Sequence, residues 1–573
     1  MRTLRKPRPL SAACLFALLS ITSSPAGAEE AEAAPSLDLP HEEAPKHPYI
    51  PVSREQQARS RATNFTRGTF TAVQVNVDAL GQNIVGDAAN EPSIGVDPTN
   101  PDRMVIGWRQ FDTIASDFRQ AGYGYTTDGG ATWTFPGVIE PGIFRSDPVL
   151  GADSEGTIHY NSLTIENVSD YVCDVFRAPT GGFAWDGGVR AQGGDKQWMV
   201  VDATGSVGDG HIYAYWTAFF SSCPPGFFTR SPNYGDSYEP CISVPGSPQW
   251  GSLTVAPNGV LYVFGATGLT FTMARSSNAR FSLGPAIAWD LSTTVSLGGT
   301  IDDRVGPNPG GLLGQAWIVA DPGPVGPQGP TLYALCSVNP PGADPLDVHF
   351  VRSTDSGVTW STPVRVNDDA STSAYQWFGT MSVAPSGRLD VVWLDTRDNP
   401  GSVNSSLYYS YSVDGGLTWA ANERLSDAFN PLIGWPQQNK MGDYFHMVSD
   451  DLGFRLAWAA TFNGEQDVYF GRKLVPAVAV DENLGPRPGV LLACDPNPFD
   501  SGTTIRYEVP RDSHVTLKVY DALGRWVTTL VDADRAAGTY SARFDGENLA
   551  SGMYFTHLSA GGVSATEKVL RVN

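Results

Sequence analysis

The chain has 573 residues and carries 38 Lys and Arg against 60 Asp and Glu, a formal net charge of −22. This acidic balance argues against nucleic acid as a partner, because nucleic-acid binding needs a basic surface. The sequence contains 61 Gly and 43 Pro but no long amphipathic helical pattern, which predicts an all-β fold of many short strands. No apolar run reaches the ~20 residues of a membrane-spanning helix, so we expect no transmembrane segment.

Residues 1–28 have the pattern of a signal peptide. A short apolar run follows the basic residues Arg2, Arg5, Lys6 and Arg8. The small residues Ala26-Gly27-Ala28 after it match a signal-peptidase cleavage site. Residues 29–68 are rich in Ala, Glu and Pro, which predicts a disordered leader.

From residue 69 to residue 475 the chain is repetitive. Three segments fit Ser/Thr-x-Asp-x-Gly-x-Thr-Trp, a motif termed an Asp box, and they end at Trp133, Trp360 and Trp419. Degenerate copies include Arg230-Ser-Pro-Asn-Tyr-Gly. A second repeated element, an apolar strand with a polar start, recurs in seven units.

These repeats predict a β-propeller with seven four-stranded blades, and six blades if one unit is misread. The seventh unit lacks a fourth strand, and Thr69–Val77 is an unpartnered strand at the other end. We expect the two to pair and close the ring, because closure removes exposed strand edges.

The Asp-box residues are predicted to brace turns, not to react. The aspartates can accept hydrogen bonds within their own turn, the glycines suit strained backbone conformations, and the tryptophans bury apolar area. The residues are Asp128, Gly130, Trp133, Asp355, Gly357, Trp360, Asp414, Gly416 and Trp419.

The end of the chain is predicted to be a separate module. Residues 476–490 read as a linker, and residues 491–573 show clean alternation and recurring turns, typical of a small C-terminal β-sandwich. Cys223 and Cys241 flank one loop-rich stretch and could pair outside the cell. The eight histidines have no ligand spacing, so no cofactor or metal is expected, although calcium in the loops stays open.

In a propeller, the starts of the inner strands converge on one face of a central channel. Converging carboxylates there could serve as acid and base for glycosidic cleavage, and arginines could clamp an acidic sugar. Tyr444 could act as a nucleophile if Glu465 approached it. The catalytic candidates are Asp195, Asp395, Asp443 and Tyr444. The ligand-binding candidates are Glu91, Arg109, Asp147, Lys196, Gln197, Arg304 and Arg397.

The Asp boxes resemble those of the sialidase superfamily, which includes exo-sialidases, other glycoside hydrolases and non-catalytic receptors or lectin-like propellers. The resemblance implies an arginine trio, an aspartate acid/base and a tyrosine nucleophile. The Arg-Ile-Pro motif of family sialidases is absent here, and those enzymes have six blades. The tail, with Asp495-Pro-Asn-Pro-Phe499 and Gly552-Met-Tyr-Phe555, resembles the FlgD-like immunoglobulin-type sorting domain of type IX secretion substrates.

Two functions follow as hypotheses. The first is a secreted or cell-surface glycoside hydrolase that acts on a glycan or glycoprotein and reaches its location through the secretion machinery. The second is a non-catalytic glycan- or protein-binding propeller used in adhesion. The missing Arg-Ile-Pro motif favours the second, and the acidic and aromatic channel residues keep the first open.

Overall fold

A computed structural model of the protein describes residues 44–166, 170–180, 182–282, 286–475, 492–509, 513–521, 526–536, 538–546, 549–560 and 563–572. Within these ranges the regular structure is β-strand apart from two short 3-10 helices, Arg54–Gln56 and Ala218–Phe220. The predicted all-β fold class is confirmed. The predicted signal peptide and the linker at 476–490 lie outside the described residues.

The described part of the segment before the repeats starts at residue 44. It contains β1 (Arg59–Arg61) and β2 (Phe65–Arg67), followed by β3 (Phe70–Gln74) and β4 (Gln82–Ile84), and β1 pairs with β4. The backbone N–H groups of Lys46 and His47 donate to Asp117 at 2.9 and 3.0 Å. The prediction of a disordered leader is therefore wrong for residues 44–67, because hydrogen bonds to the repeat region hold a segment that has little apolar patterning of its own.

Six sheets then follow one another along the chain, each antiparallel and built from consecutive strands. Sheet 1 contains β5 (Ala88–Val96), β6 (Met104–Phe111), β7 (Gln120–Thr126) and β8 (Thr134–Ile139). Sheet 2 contains β9 (Ser146–Ala152), β10 (Ile158–Ile165), β11 (Tyr171–Ala178) and β12 (Val189–Arg190). Sheet 3 contains β13 (Trp198–Val201), β14 (Ile212–Tyr215) and β15 (Phe228–Ser231).

Sheets 4 to 6 repeat the same order. Sheet 4 contains β16 (Gln249–Val255), β17 (Leu261–Thr267), β18 (Thr270–Ser276) and β19 (Leu291–Val295). Sheet 5 contains β20 (Trp317–Ala320), β21 (Leu332–Val338), β22 (Asp347–Ser353) and β23 (Val364–Arg365). Sheet 6 contains β24 (Gln376–Val383), β25 (Leu389–Asp395), β26 (Ser406–Ser412) and β27 (Glu423–Arg424).

Sheet 7 joins the two ends of the repeat region. Its strands β28 (His446–Asp450), β29 (Gly453–Ala460) and β30 (Asp467–Leu474) are consecutive, and β30 then pairs with β3 and β3 with β2. The antiparallel register places Phe70 opposite Lys473 and Gln74 opposite Tyr469. A strand from the start of the chain thus completes the sheet at its end.

The first strand of each sheet packs against the first strand of the next, and β28 of sheet 7 packs against β5 of sheet 1. The sheets therefore form a closed ring around an axis, the arrangement that defines a β-propeller. We call the face where these inner strands begin the upstream face, and the face where they end the downstream face. The number of blades stays a prediction at this point.

Hydrogen bonds between neighbouring sheets satisfy backbone groups of the inner strands. The hydroxyl of Ser93 accepts a hydrogen bond from the N–H of Leu150 at 2.9 Å. The hydroxyl of Ser252 accepts one from the N–H of Ile318, also at 2.9 Å. The hydroxyl of Thr254 accepts from the N–H of Ala320 at 3.2 Å. Buried backbone donors need a partner, so these side chains tie each inner strand to its neighbour.

The three Asp boxes share one pattern of hydrogen bonds. Asp128 accepts from the backbone and the hydroxyl of Thr132 at 3.0 and 2.6 Å and from the hydroxyl of Thr126 at 2.6 Å. Asp355 and Asp414 have equivalent partners. Burial raises the pKa of Asp128, but these hydrogen bonds outweigh it and lower that pKa to about 2.

Each complete box also packs against the sheet that precedes it in the ring. A Cβ at Gly130 would lie 2.1 Å from the ring of Phe470 in sheet 7, and one at Gly416 would lie 2.1 Å from Phe350 in sheet 5. A Cβ at Gly357 would meet Met273 of sheet 4 at 2.0 Å. The glycines therefore allow the turn of one sheet to approach the third strand of the sheet before it.

Two features lie outside this repeat. Cys223 and Cys241 form a disulfide between the loop that joins β14 to β15 and the segment that follows β15. The tail has one sheet of β31 (Leu492–Asp495), β32 (Gly502–Val509) and β35 (Gly538–Asp545). A second sheet has β33 (Ser513–Asp521), β34 (Trp526–Arg535), β36 (Gly552–Ala560) and β37 (Val563–Arg571). Phe499, Ile505, Leu517, Phe544 and Leu558 belong to one apolar cluster of both sheets.

We predict that Gly416→Ala destabilises the ring more than Gly401→Ala does. Both glycines have positive φ, 82° and 75°, so each substitution costs about 1–2 kcal/mol in backbone strain. Only Gly416 faces a side chain, Phe350, whereas a Cβ at Gly401 meets nothing within 4 Å. The clash should add a further ~1–3 kcal/mol. Denaturant unfolding of both variants measures the difference, and equal midpoints would contradict the packing role of the box.

Candidate functional site

The inner strands begin with a repeated backbone irregularity. Glu91, Asp147, Lys196, Trp250 and Phe378 all have φ between 48° and 56°, a conformation that costs about 1–2 kcal/mol for a residue with a side chain. The strand register shifts at the same places in sheets 1, 4 and 6. Bulges of this kind change the direction of side chains beside functional sites, and here they occur where polar residues were predicted to converge.

Lys196 lies at the centre of a buried group of charges, which we call the upstream cluster: Glu91, Arg109, Asp147, Asp195, Lys196, Lys440 and Asp443. The ammonium of Lys196 lies 2.7 Å from Asp443, 3.6 Å from Asp195 and 3.9 Å from Asp147. Lys440 lies 2.8 Å from the same oxygen of Asp443. Lys196 therefore joins sheets 2 and 3 to the segment that leads into sheet 7.

Glu91 and Arg109 form the part of the cluster contributed by sheet 1. Their charged groups lie 3.0 Å apart, and both side chains are fully buried. Burial raises the pKa of Glu91 to about 8, and Asp443 and Asp147 add to that rise, although Arg109 lowers it. Glu91 therefore holds its proton more strongly than an ordinary glutamate does, beside two aspartates that contact or approach a lysine.

Tyr444 is buried next to this cluster. Its hydroxyl donates to the carbonyl of Pro148 at 2.7 Å. Burial, followed by the charges of Glu91 and Asp147, raises the pKa of Tyr444 well above its ordinary value. Glu465 instead accepts from the N–H of Gly86 at 2.8 Å. The condition set for Tyr444, an approach of Glu465, therefore stays a prediction: Glu465 binds the loop before sheet 1, and Glu91 is the glutamate that influences the pKa of Tyr444.

The three predicted clamp arginines each pair with a different carboxylate. Arg109 contacts Glu91 and Asn90 in sheet 1. Arg304 contacts its neighbour Asp303 at 3.0 Å. The guanidinium of Arg397 lies 2.8 Å from Asp395 and 2.7 Å from Asp368. The shared clamp for an acidic sugar stays a prediction, and in the structure each arginine pairs with a different carboxylate close to it in sequence or on its own sheet.

Asp395 forms a second buried site in sheet 6, apart from Lys196. It accepts hydrogen bonds from the indole of Trp393 at 2.8 Å and from the amide of Gln376 at 3.2 Å. Burial raises the pKa of Asp395, and the charge of Arg397 opposes that rise. Gln197, by contrast, lies beside the upstream cluster and donates to the carbonyl of Asp147.

A loop of residues 302–313, which we call the strap, covers the upstream cluster. The amide of Asn308 donates to the carbonyl of Gly442 at 2.9 Å and accepts from the N–H of Met441 at 2.8 Å. The N–H of Leu312 donates to Asp443 at 2.8 Å. The sequence reasoning missed Asn308, for which the run Gly306-Pro-Asn-Pro-Gly-Gly311 was the available signal of a constrained turn.

A cavity of about 290 Å³ lies on the ring axis farther along the inner strands. Residues from the first strand of every sheet line it, including Trp198, Trp317 and His446. The rings of Trp198 and Trp317 meet edge to face at 4.9 Å, and His446 stacks on Trp317 at 6.0 Å. None of the cavity's lining residues is charged.

Within the described ranges no group of three or more His, Cys, Asp or Glu side chains is arranged to hold a metal ion. The helices of those same ranges include none with the length and apolarity of a membrane span.

Residues 495–572 match the family of secretion system C-terminal sorting domains. The tail is therefore a type IX secretion C-terminal sorting domain, close to the range 491–573 predicted for it. This domain supports secretion or display at the cell surface. No curated protein matches the chain in sequence.

Solved structures similar to the chain include a protein of unknown function from Dyadobacter fermentans, at 13% identity and a TM-score of 0.38, over 72% of this chain and 99% of that one. A polysaccharide lyase of family PL25, an ulvan lyase, has 11% identity and a TM-score of 0.39 over 70% and 98%. The sialidase of Trypanosoma rangeli in complex with the inhibitor DANA has 11% identity and a TM-score of 0.36 over 89% and 90%.

We predict that Glu91→Gln reduces the loss of stability that the protein suffers as the pH rises from 4.5 to 8. Burial raises the pKa of Glu91 to about 8, above its ordinary value of 4.5. Its contribution is therefore complete below about pH 4.5 and is lost as the pH rises from there through 8. Thermal unfolding between pH 5 and pH 8 should show a shallower decline for Glu91→Gln than for the wild type.

Glu55→Gln, on an exposed residue of the N-terminal segment, is the matched control and should leave the decline unchanged. Parallel curves for Glu91→Gln and the wild type would show that Glu91 is already ionised in the folded protein.

Proposed function

We propose that this chain is an exported seven-bladed propeller that binds glycans at its upstream face without hydrolysing them. In this proposal each of the seven sheets is one blade, and sheet 7 closes the ring. The sorting domain is a two-sheet sandwich that directs export, after a signal peptide at residues 1–28. The Asp boxes support membership in the sialidase superfamily, which contains both hydrolases and binding proteins.

The observation that carries the proposal is the pairing of the upstream carboxylates. Asp443 contacts two lysines and a backbone N–H, and Asp147 accepts from Ser146 and from the N–H of Lys196. Both carboxylates are fully buried. A hydrolase needs a water or a nucleophile beside the scissile bond, and carboxylates fixed in this way under the strap are poorly suited to that chemistry.

The rim around the strap offers groups suited to a sugar. Arg304 is partly exposed on the strap itself. Tyr375 packs beneath Gly306 of the strap, and Trp435 lies in the loop before sheet 7; both rings are half-buried. Aromatic faces and a few directed polar groups are the usual composition of small-ligand sites.

A glass-slide array of glycans, probed with the full chain, tests this function. Trp435→Ala and Tyr375→Ala should each weaken binding about five- to ten-fold, since one aromatic contact contributes about 1 kcal/mol. Trp526→Ala removes an exposed tryptophan of the sorting domain and should leave binding unchanged. Binding that survives both rim substitutions, or no binding to any glycan, would overturn the proposal.

Glycoside hydrolysis is the second candidate, and one observation favours it. The pKa of Glu91 is raised next to carboxylates that contact lysines, and such a difference in environment between neighbouring acids supports acid and base roles. Chromogenic glycosides distinguish the two functions. Turnover that disappears in both Glu91→Gln and Asp443→Asn, with the fold retained, would replace binding by hydrolysis, whereas the proposal expects no turnover in the wild type.

A further inference from the structure

The axial cavity is a second site, at the opposite end of the channel from the upstream cluster. Its walls are made mainly of aliphatic, methionine and tryptophan side chains, among them Ile94, Leu150, Met199, Leu253 and Ile318. Pro98 and Ala203, which also line it, are exposed to solvent. The cavity therefore opens at the downstream face, and a ligand can reach it without moving the strap.

The hydroxyl groups of the lining are already used between the sheets. Ser252 accepts from Ile318 and donates to the carbonyl of Ala316 at 3.2 Å. Thr254 accepts from Ala320, and Ser382 pairs with Ser449. A sugar ring needs several hydrogen bonds to replace those it makes with water, so this wall is not suited to a carbohydrate.

His446 is the remaining polar group of the lining. Its Nδ1 lies 3.2 Å from the N–H of Ile94, which donates to it, and 2.9 Å from the hydroxyl of Ser93. A ring nitrogen that accepts from a backbone N–H carries no proton, so the neutral imidazole holds its proton on Nε2. Burial lowers the pKa of His446 to about 4, which agrees with a neutral ring at physiological pH.

We propose that the axial cavity binds an uncharged aromatic compound that has one hydrogen-bond acceptor. The tryptophan and aliphatic walls take the ring, and the Nε2–H of His446 donates to the acceptor. A cavity of about 290 Å³ is at the small end of ligand pockets, which limits the occupant to a compound of one or two rings. Ionised ligands are excluded, because nothing in the lining would offset the loss of their hydration.

Three probes of similar shape test the site by saturation-transfer NMR and titration with the full chain. Acetophenone has both the ring and a carbonyl acceptor, ethylbenzene lacks the acceptor, and benzoate is charged. Acetophenone should bind about five-fold more tightly than ethylbenzene, the effect of one hydrogen bond, and benzoate should not bind. Equal binding of benzoate, or no saturable binding of acetophenone, would overturn the proposal.

Two variants locate the binding. Ala203→Trp fills the exposed mouth of the cavity and should weaken acetophenone at least ten-fold, whereas Ala115→Trp, at an exposed alanine outside the lining, should not. His446→Phe should remove the preference for acetophenone over ethylbenzene. If His446→Phe does not fold, Ala203→Trp still tests whether acetophenone binds in the axial cavity. Undiminished binding of acetophenone in that variant would show that it binds elsewhere on the protein.

Discussion

The pairing of β3 with β30 holds together two segments separated by almost the whole repeat region. Beside it, β28, β29 and β30 of sheet 7 all pack against β5 of sheet 1. Both sites depend on it. Asp443 reaches Lys196 from the segment that leads into sheet 7, and His446 of sheet 7 accepts the N–H of Ile94 in sheet 1. An open chain of sheets would have neither the upstream cluster nor the axial cavity.

The inner strands are the edges of their sheets, and their free backbone groups would otherwise be exposed to one another across the channel. The structure satisfies several of them with side chains of the adjacent sheet, as with Ser93, Ser252 and Thr254. The left-handed residues at the strand starts perform a related role, since the carbonyl of Trp250 accepts from Ala316 of the next sheet. The ring is thus stabilised by hydrogen bonds between adjacent sheets as well as within each sheet. Because these bonds occupy the polar groups of the inner strands, the cavity toward the downstream face is apolar.

Much of the fold was predictable because its signals are local. The Asp boxes, the alternating strands and the unpaired strand near residue 70 all lie within short windows, where period and turn chemistry can be read. Even the degenerate copy at Asn233 keeps two hydrogen bonds of a complete box, accepting from Ser231 at 2.9 Å and from the N–H of Ser237 at 3.1 Å, while the third is reversed and runs from the amide of Asn233 to the hydroxyl of Ser237 at 3.0 Å. A side-chain amide oxygen can replace a carboxylate oxygen in that turn.

The site was less predictable, because its contacts join distant segments. Convergence of Glu91, Asp147, Lys196 and Asp443 followed from their positions at strand starts, but their mutual pairing did not, since an ion pair depends on side-chain reach and burial. The ion pairs of Arg304 and Arg397 are local: each has a carboxylate within two residues, at 3.0 or 2.8 Å. Asn308 of the strap is uncharged and lies between two prolines, so no charge pattern at that position indicated its contact with the segment beside the cluster.

The pairing of β3 with β30 also determines how the ring responds to mechanical load. Because β3 and β30 are antiparallel, the chain enters β3 at Phe70 and leaves β30 beside Lys473, at the same end of the pair. Tension between the two ends would break these hydrogen bonds one after another, as in unzipping, and not all together, as in shear. On the N-terminal side, β2 is hydrogen-bonded to β3. Under tension β2 would have to separate from β3 first, and this short strand therefore delays the opening of the ring.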